Sequence, residues 1–220
     1  MNLPPYLFAK VTRAFTFIEL LIVLAVFAVL ASFFLPAYTG NRAPASRIQC
    51  VNNLKQVGLA FKLWAGDHQE KFPMQVSVTN GGTLELMDSG KTFMHFAVIS
   101  NELSTPKVLV CPADRTRKPA ANFSADLDNT KISYFVGVDA ESTLLSQMFL
   151  SGDFNITNGH RAVGGILELT TNEITEWTDA LHHRQGNVGL ADGSVQQFSS
   201  SRLRQALEFT GVATNRLAMP

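Results

Sequence analysis

The sequence is short of charge. Charged side chains make up 16% of its 220 residues, against roughly 25% in an ordinary soluble domain. Its 18 basic and 18 acidic side chains cancel, so it lacks the basic excess that nucleic-acid-binding proteins carry. We therefore expect no nucleic-acid partner, and the same balance argues against an acidic disordered tail.

Cysteine and catalytic motifs are scarce as well. Two cysteines exclude a disulfide-dense scaffold and a four-cysteine zinc site. The sequence contains no glycine-rich phosphate loop, nucleophile elbow or HExxH helix, so we expect a protein that is not an enzyme. Hydrophobic residues amount to 46%, which excludes general disorder.

The low charge content has a local cause near the N-terminus. Residues 15–38 contain one charged side chain, that of Glu19. As a helix this run would be about 36 Å long, which is enough to cross a hydrocarbon core of about 30 Å. Lys10 and Arg13 precede it, which predicts a membrane segment with a cytoplasmic N-terminus and the rest of the chain across the membrane.

A cleaved secretory signal peptide and a plain membrane anchor both fit this run, but two residues suit neither. A carboxylate such as Glu19 at membrane depth costs about 2.5–3.5 kcal/mol on insertion scales. Pro36 removes a helix hydrogen bond. A third interpretation has to explain both residues.

Residues 13–20, RAFTFIEL, resemble the type IV prepilin cleavage motif. The resemblance implies a leader of residues 1–14. Prepilin peptidase would cut the chain between Ala14 and Phe15, and it would then N-methylate Phe15. Glu19 is then the fifth mature residue. Ala14 departs from the usual Gly of the family, although its small side chain should still fit.

The same resemblance implies a role in assembly for the two awkward residues. In the family model the carboxylate of Glu19 pairs with the N-terminal amine of a neighbouring subunit, because a buried carboxylate needs a cation, and this pairing sets the axial register. Pro36 stands where pilins often carry a helix-kinking proline. The implied partners are prepilin peptidase, copies of the chain or other pilin-like subunits, and an inner-membrane assembly platform.

Three further motifs resemble those of prepilin-like proteins that are abundant in Planctomycetes and Verrucomicrobia. They are Cys50 to Gln56 (CVNNLKQ), Cys111 to Asp114 (CPAD), and His182 followed after nine residues by Asp192-Gly193. Residues 115–181 match no motif.

Apolar residues recur every three or four positions in the segment 39–70, which follows the apolar run. They are Ile48, Val51, Leu54, Gly58, Phe61 and Ala65. This spacing predicts one helix face packed on a sheet. The helix would be the second half of a long pilin helix, restarting at Pro44 or Ser46.

The remaining residues, 71–220, are expected to form a globular head built on a small, mostly antiparallel sheet. The predicted strands are 108–110, 132–138 and 165–170, and a final helix covers 202–209. A long N-terminal hydrophobic helix packed on such a sheet is an α+β, pilin-like fold.

The C-terminal motif predicts a β-hairpin. Asp192-Gly193 lies between two short alternating runs, which indicates a two-residue type I′ turn. His182 lies in the preceding loop, where it would hydrogen-bond across the hairpin or fix the loop, so we expect a structural role for the motif. Metal binding by His182, His183 and Asp192 is the alternative, but the sequence offers no further ligand at a suitable spacing. We therefore expect no metal site.

Cys50 and Cys111 would both lie outside the cytoplasm, where disulfides persist. A bridge between them would close a loop of about 60 residues and stabilise the head by about 4 kcal/mol on the chain-entropy model. Two free, buried thiols are the alternative.

An acidic stretch offers oxygen ligands of the kind that Ca²⁺ prefers. They are Asp126, Asp128, Asn129, Asp139 and Glu141. Their spacing differs from that of an EF-hand loop, so a solvated polar loop is the favoured interpretation and no cofactor is expected.

The sequence thus predicts a structural pilin-like subunit of a type II secretion pseudopilus or a type IV pilus. It would be a single-pass protein of the bacterial inner membrane with a periplasmic head, and part of an extracellular filament after assembly. The alternative is a membrane-tethered periplasmic domain that binds a glycan or another surface polymer and never polymerises.

Overall fold

The computed structural model describes residues 15–34, 42–141 and 145–220. The chain divides into two compact units, one ending at Arg42 and one running from Ala43 to Pro220. The first unit contains helix α1, Phe17–Phe34. Every side chain described in this unit, from residue 15 to residue 32, is exposed.

The second unit, the head, contains four α-helices and eight strands among its described residues. The helices are α2 (Arg42–Asp67), α3 (Thr92–Val98), α4 (Ser100–Leu103) and α5 (Ser200–Glu208). The strands are β1 (Tyr134–Gly137), β2 (Phe149–Asp153), β3 (Ile156–Thr157), β4 (Ile166–Thr170), β5 (Glu176–Trp177), β6 (Gln185–Leu190), β7 (Val195–Ser199) and β8 (Thr214–Ala218).

Six strands form one antiparallel sheet in the order β4-β8-β1-β2-β6-β7, and β3 pairs with β5 in a second, two-stranded sheet. An N-terminal helix, a second helix and this antiparallel sheet make an α+β fold of the pilin-like kind, which confirms the expected fold class. Two predicted strands, 132–138 and 165–170, correspond to β1 and β4, and the predicted final helix corresponds to α5.

The large sheet is covered on both faces, and β1 shows how. Alternate side chains of a strand point to opposite faces. Tyr134 and Val136 pack in the cluster that contains the buried side of α2, whereas Phe135 packs in a second cluster with Leu203 and Leu207 of α5. Because both faces are buried, β1 is a continuous apolar run rather than an alternating one.

The buried face of α2 differs in part from the expected one. Leu54, Gly58, Phe61 and Ala65 are buried as expected, but Ile48 is 60% exposed and Val51 is half-buried. The face instead includes two polar positions, Cys50 and Asn53, and Asn53 Nδ2 donates to the carbonyl of Val110 at 3.1 Å. The buried face is thus rotated about the helix axis relative to the predicted one. Apolar spacing alone cannot predict this, because it takes no account of polar side chains that are buried with hydrogen-bond partners.

The predicted strand 108–110 is wrong. Pro106–Leu109 form a short 3₁₀ helix, and the Thr105 side chain accepts from the backbone N–H of Lys107 at its start. Pro106 stands at the first helical position, where its fixed φ suits a helix. A run of three β-branched and apolar residues therefore becomes helical because of the residues that precede it.

The hairpin is formed by β6 and β7, but its turn is not the predicted two-residue type I′ turn. That turn needs positive φ at both central residues, and only Gly193 has it, at 89°. The backbone N–H of Gly193 donates to the Leu190 carbonyl, and that of Leu190 donates to the Ser194 carbonyl. The loop therefore has three residues, 191–193, with glycine in the left-handed position of a bulge.

Candidate functional site

The start of α1 is held by a local hydrogen-bond pair. Glu19 Oε2 accepts from the backbone N–H and from the hydroxyl of Thr16, both at 2.9 Å, and the Thr16 hydroxyl accepts from the Glu19 N–H at 3.3 Å. This reciprocal arrangement is a capping box, which satisfies two of the backbone N–H groups that a helix start leaves without partners. Glu19 thus has a use within its own chain that the sequence analysis missed.

The motif residues Ala14 and Pro36 lie outside the described residues. Phe15 is exposed, directly before the Thr16 cap. In the part of the chain that the structure describes, no helix is long and apolar enough to cross a membrane.

A second candidate site lies inside the head. Four side chains, which we call the thiol cluster, come from four separate segments. Cys50 is on α2, Cys111 follows the 3₁₀ helix, Asp153 ends β2, and His182 lies in the loop before β6. One ligand-type atom from each lies within 4.8 Å of the other three.

The contacts inside the thiol cluster are close. Cys50 Sγ donates to Asp153 Oδ1 at 3.1 Å, and Cys111 Sγ lies 3.3 Å from His182 Nε2. His182 Nε2 also lies 3.5 Å from Asp153 Oδ2, with side chains that are 2% and 0% exposed. Both cysteines are free thiols in this structure. The cluster is therefore a dry, compact set of two sulfurs, one imidazole and one carboxylate.

Burial and mutual contact shift the acidity of these groups in different directions. Contact with the Cys50 thiol lowers the pKa of Cys111 to about 5, against the opposing effect of burial and with further help from His182. Burial raises the pKa of Cys50. Burial by itself lowers the pKa of His182, but contact with Cys111 and the charge of Asp153 outweigh it, so the pKa is raised. Burial raises the pKa of Asp153 to about 6. The cluster therefore favours a thiolate at Cys111 beside an imidazolium at His182.

Neighbouring residues orient the cluster. Asn187 donates to Asp153 Oδ2 from its backbone N–H and from Nδ2, both at 2.8 Å, and Tyr134 Oη lies 3.4 Å from Cys50 Sγ. His182 itself stands in an unusual segment, since it and the next two residues, His183 and Arg184, have φ of 51°, 52° and 58°. Left-handed backbone at a residue other than glycine costs roughly 1–2 kcal/mol, so the contacts of His182 have to stabilise this loop.

The fold thus brings together single residues from different sequence motifs, and it does not keep each motif as one site. The two cysteines of the first two motifs meet His182 of the third, but Asp192 does not join them. Its carboxylate accepts from the Ser194 N–H at 2.7 Å at the hairpin tip, which is a structural contact. The sequence analysis missed Asp153, whose only signal is one carboxylate at the end of an apolar run, residues 148–153.

Asp114, the last residue of the CPAD motif, has a structural role. Its carboxylate accepts from the Ser133 hydroxyl at 2.8 Å and from the Thr116 backbone at 2.9 Å, and it pairs with Arg117 at 3.2 Å. These contacts hold the turn that carries Cys111 against the chain that enters β1.

The acidic residues considered for Ca²⁺ are not brought together. Asp126 lies 3.8 Å from Lys131 Nζ, and Asp139 lies 2.6 Å from an Arg216 amino group. Asp128 caps a short 3₁₀ helix through the N–H of Thr130. Among the described residues, the thiol cluster is the one group of three or more potential metal ligands.

Comparison with known proteins finds one match. Residues 10–35 match the family model described as the prokaryotic N-terminal methylation motif. No curated protein and no solved structure matches the chain. The matched residues include Phe15, the Thr16–Glu19 capping box and all of α1, and they contain the predicted cleavage position. The N-terminal segment therefore carries the methylation motif found in prepilin-like proteins.

Proposed function

We propose that the chain is a non-enzymatic pilin-like subunit of a type II secretion pseudopilus or a type IV pilus. Prepilin peptidase cuts it between Ala14 and Phe15 and N-methylates Phe15. The chain is held in the inner membrane by its N-terminal segment until α1 packs against pilin-like neighbours in a filament, with the head in the periplasm or outside the cell.

The observation that carries this proposal is the methylation motif at the start of a helix that is apolar on every side. A helix without a polar face needs apolar surroundings on all sides, and α1 has none within its own unit, because its side chains are exposed. Lipid and then neighbouring subunits would supply those surroundings. The match at residues 10–35 supports processing by the enzyme that makes such subunits.

Mass spectrometry of the native N-terminus tests the processing step. We expect a chain that has lost residues 1–14 and begins with N-methylated Phe15, because the peptidase both cuts and methylates. A host without prepilin peptidase should yield the uncut chain. A secretory signal peptide would instead end at the small-residue site Val29-Leu30-Ala31. A mature chain that begins at Ser32 therefore contradicts the proposal.

The assembly step depends on the charge of Glu19, which has to be separated from its capping role. Glu19→Gln keeps the capping box, since glutamine also serves at this position, but removes the charge. Thr16→Val has the opposite effect, because it removes the capping hydroxyl and keeps the carboxylate. We expect Glu19→Gln to abolish filaments in the sheared fraction and Thr16→Val to retain them.

This comparison holds only if both variants are cut and methylated normally. Mass spectrometry of their N-termini checks this. Glu19→Leu, which loses the cap and the charge together, should fail like Glu19→Gln. Filaments from Glu19→Gln at the wild-type level would show that the helix cap, and not a pairing with a neighbour's amine, is what Glu19 supplies.

The alternative is a tethered domain that binds a glycan. A cavity of about 480 Å³ is lined mainly by aliphatic and methionine side chains, among them Met74, Met87 and Met148, with the Arg216–Asp139 pair at its polar side. Among the described residues that line it, none carries an aromatic ring, and such a ring usually supplies the flat apolar surface of a ligand pocket.

A further inference from the structure

We propose that the thiol cluster is a structural zinc site. Its ligands are Cys50 Sγ, Cys111 Sγ, Asp153 Oδ1 and His182 Nε2. This site is separate from the N-terminal segment on which the proposed function rests, so either can fail without the other.

The geometry fits a tetrahedral ion. Zinc bonds of about 2.0–2.3 Å place the four ligand atoms of a tetrahedron roughly 3.3–3.8 Å apart. Two contacts of the cluster lie at or just below this range, 3.1 Å between Cys50 Sγ and Asp153 Oδ1 and 3.3 Å between Cys111 Sγ and His182 Nε2. One carboxylate oxygen of Asp153 and the ligand atoms of the other three residues lie within 4.8 Å of one another, so zinc binding would draw the more distant pairs together by up to about 1.5 Å.

The donor types are those that zinc prefers, namely thiolate, imidazole and carboxylate. Four protein ligands fill the tetrahedron and leave no open position, which is the arrangement of a structural rather than a catalytic zinc ion. Burial agrees, because the side chains of Asp153 and His182 are almost fully excluded from solvent and both cysteines are 0% exposed.

The surrounding hydrogen bonds leave the ligand atoms available to bind zinc. Asn187 donates twice to Asp153 Oδ2, so Oδ1 is left with the Cys50 thiol, whose proton is lost when zinc binds. Tyr134 can then donate its hydroxyl to the Cys50 thiolate. Partners that orient ligands in this manner are typical of built metal sites.

A disulfide between Cys50 and Cys111 accounts for less of the structure. It would use two of the four groups and leave a buried carboxylate and imidazole without a purpose beside it. It would also give no reason for the left-handed backbone that brings His182 into the cluster. A zinc ion uses all four groups, and it ties α2, the CPAD turn, β2 and the loop before β6 together at one point.

Metal binding is tested on the full chain, purified in detergent with reductant and without chelator. We expect about one zinc per chain by elemental analysis, because the four ligands form one site. Removal of the zinc and addition of Co²⁺ should give an intense thiolate-to-cobalt band in the near ultraviolet and the visible bands of tetrahedral cobalt. Cys111→Ser should reduce the thiolate band by about half, since one of two thiolates is gone.

The two adjacent histidines provide a matched pair of variants. His182→Asn removes a ligand, whereas His183→Asn alters an exposed neighbour with the same left-handed φ, and asparagine tolerates that backbone. We expect His182→Asn to lose the bound zinc and to bind Co²⁺ at least about tenfold more weakly. His183→Asn should behave like the wild type.

Three results would overturn the site. One is a reduced wild-type chain that takes up neither zinc nor Co²⁺ with a thiolate band, a result that needs no variant to fold. Another is equal metal binding by His182→Asn and His183→Asn. The third is a chain isolated with a Cys50–Cys111 disulfide that, once reduced, still binds no metal.

Discussion

Helix α1 and the head meet the same physical demand in opposite ways. Apolar surface has to be removed from water, and the head does this internally, with Phe61, Trp177 and their neighbours fully or almost fully buried. Helix α1 buries nothing of its own, because all of its described side chains are exposed. The head therefore buries a core of its own, whereas the described side chains of α1 stay exposed.

The polar groups of α1 and of the head differ in how far along the chain their hydrogen-bond partners lie. In α1 the one charged side chain is satisfied by a residue three positions away. In the head, buried polar groups find partners far along the chain, as Asp153 does with Asn187 and Cys50. A motif that acts through neighbours in sequence can be recognised from sequence, and one assembled from distant residues cannot.

The largest expected effect on stability comes from making the same Phe-to-Ala substitution in the head and in α1. Phe61→Ala, at a fully buried ring, should lower the free energy of unfolding of the head by about 3–5 kcal/mol. Phe27→Ala, at a ring that is 65% exposed, should change it by less than about 0.5 kcal/mol. Denaturation of the full chain in detergent, followed by fluorescence of Trp64 and Trp177, measures both. Equal effects would mean that α1 is part of the head's core.

A buried histidine should make the head sensitive to acid. Burial lowers the pKa of His95 from 6.5 to about 4, and its Nδ1 lies 2.8 Å from the Thr83 hydroxyl. Because the unfolded chain binds more protons between these values, stability is lost as pH falls from about 6.5 to about 4, by about 3 kcal/mol in full.

His95→Gln should flatten this part of the pH profile. The quantity to compare is the slope of unfolding free energy against pH in the two proteins, since other titrating groups cancel in the difference. Identical slopes would contradict the lowered pKa, because they would show that His95 binds its proton equally in the folded and the unfolded chain. Helix α1 contains no histidine and should contribute nothing to the difference.

Two glycines that face each other should respond in opposite directions. A Cβ built on Gly58 of α2 would lie 3.8 Å from Gly193 at the hairpin tip, with ordinary contact distances, so Gly58→Ala should stabilise the head by about 0.5–1 kcal/mol through helix propensity. Gly193 has φ of 89°, and Gly193→Ala should destabilise it by about 1–2 kcal/mol. Chemical denaturation of both variants checks the signs. A stabilising Gly193→Ala would contradict the left-handed turn.

The smallest effect compares two helix caps. The Ser199 side chain accepts from the Arg202 N–H at the start of α5, so Ser199→Ala should cost the head about 0.5–1 kcal/mol. Thr16→Ala removes the equivalent cap of α1 and should leave head unfolding unchanged while reducing helix content by circular dichroism. A loss of head stability in Thr16→Ala would show that the two units are energetically coupled.

The sequence predicted the fold class, β1, β4, α5 and the position of the hairpin, because these rest on local patterns. It failed at 108–110, where Pro106 overrode the apolar residues, and at the hairpin turn, where Asp192 does not have the positive φ of a type I′ turn. It also failed to find β2 and β8, whose strand character comes from pairing with β1 in the centre of the sheet.

By itself the sequence determined the N-terminal segment. The cleavage motif, the all-round apolar character of α1 and the Thr16–Glu19 pair lie within some twenty consecutive residues, so no long-range contact is needed to recognise them. Tertiary structure alone decided the thiol cluster. Its four residues are spread over 133 positions, from Cys50 to His182. Only the packing of α2 on the sheet and the backbone of the loop before β6 bring their ligand atoms within 4.8 Å of one another.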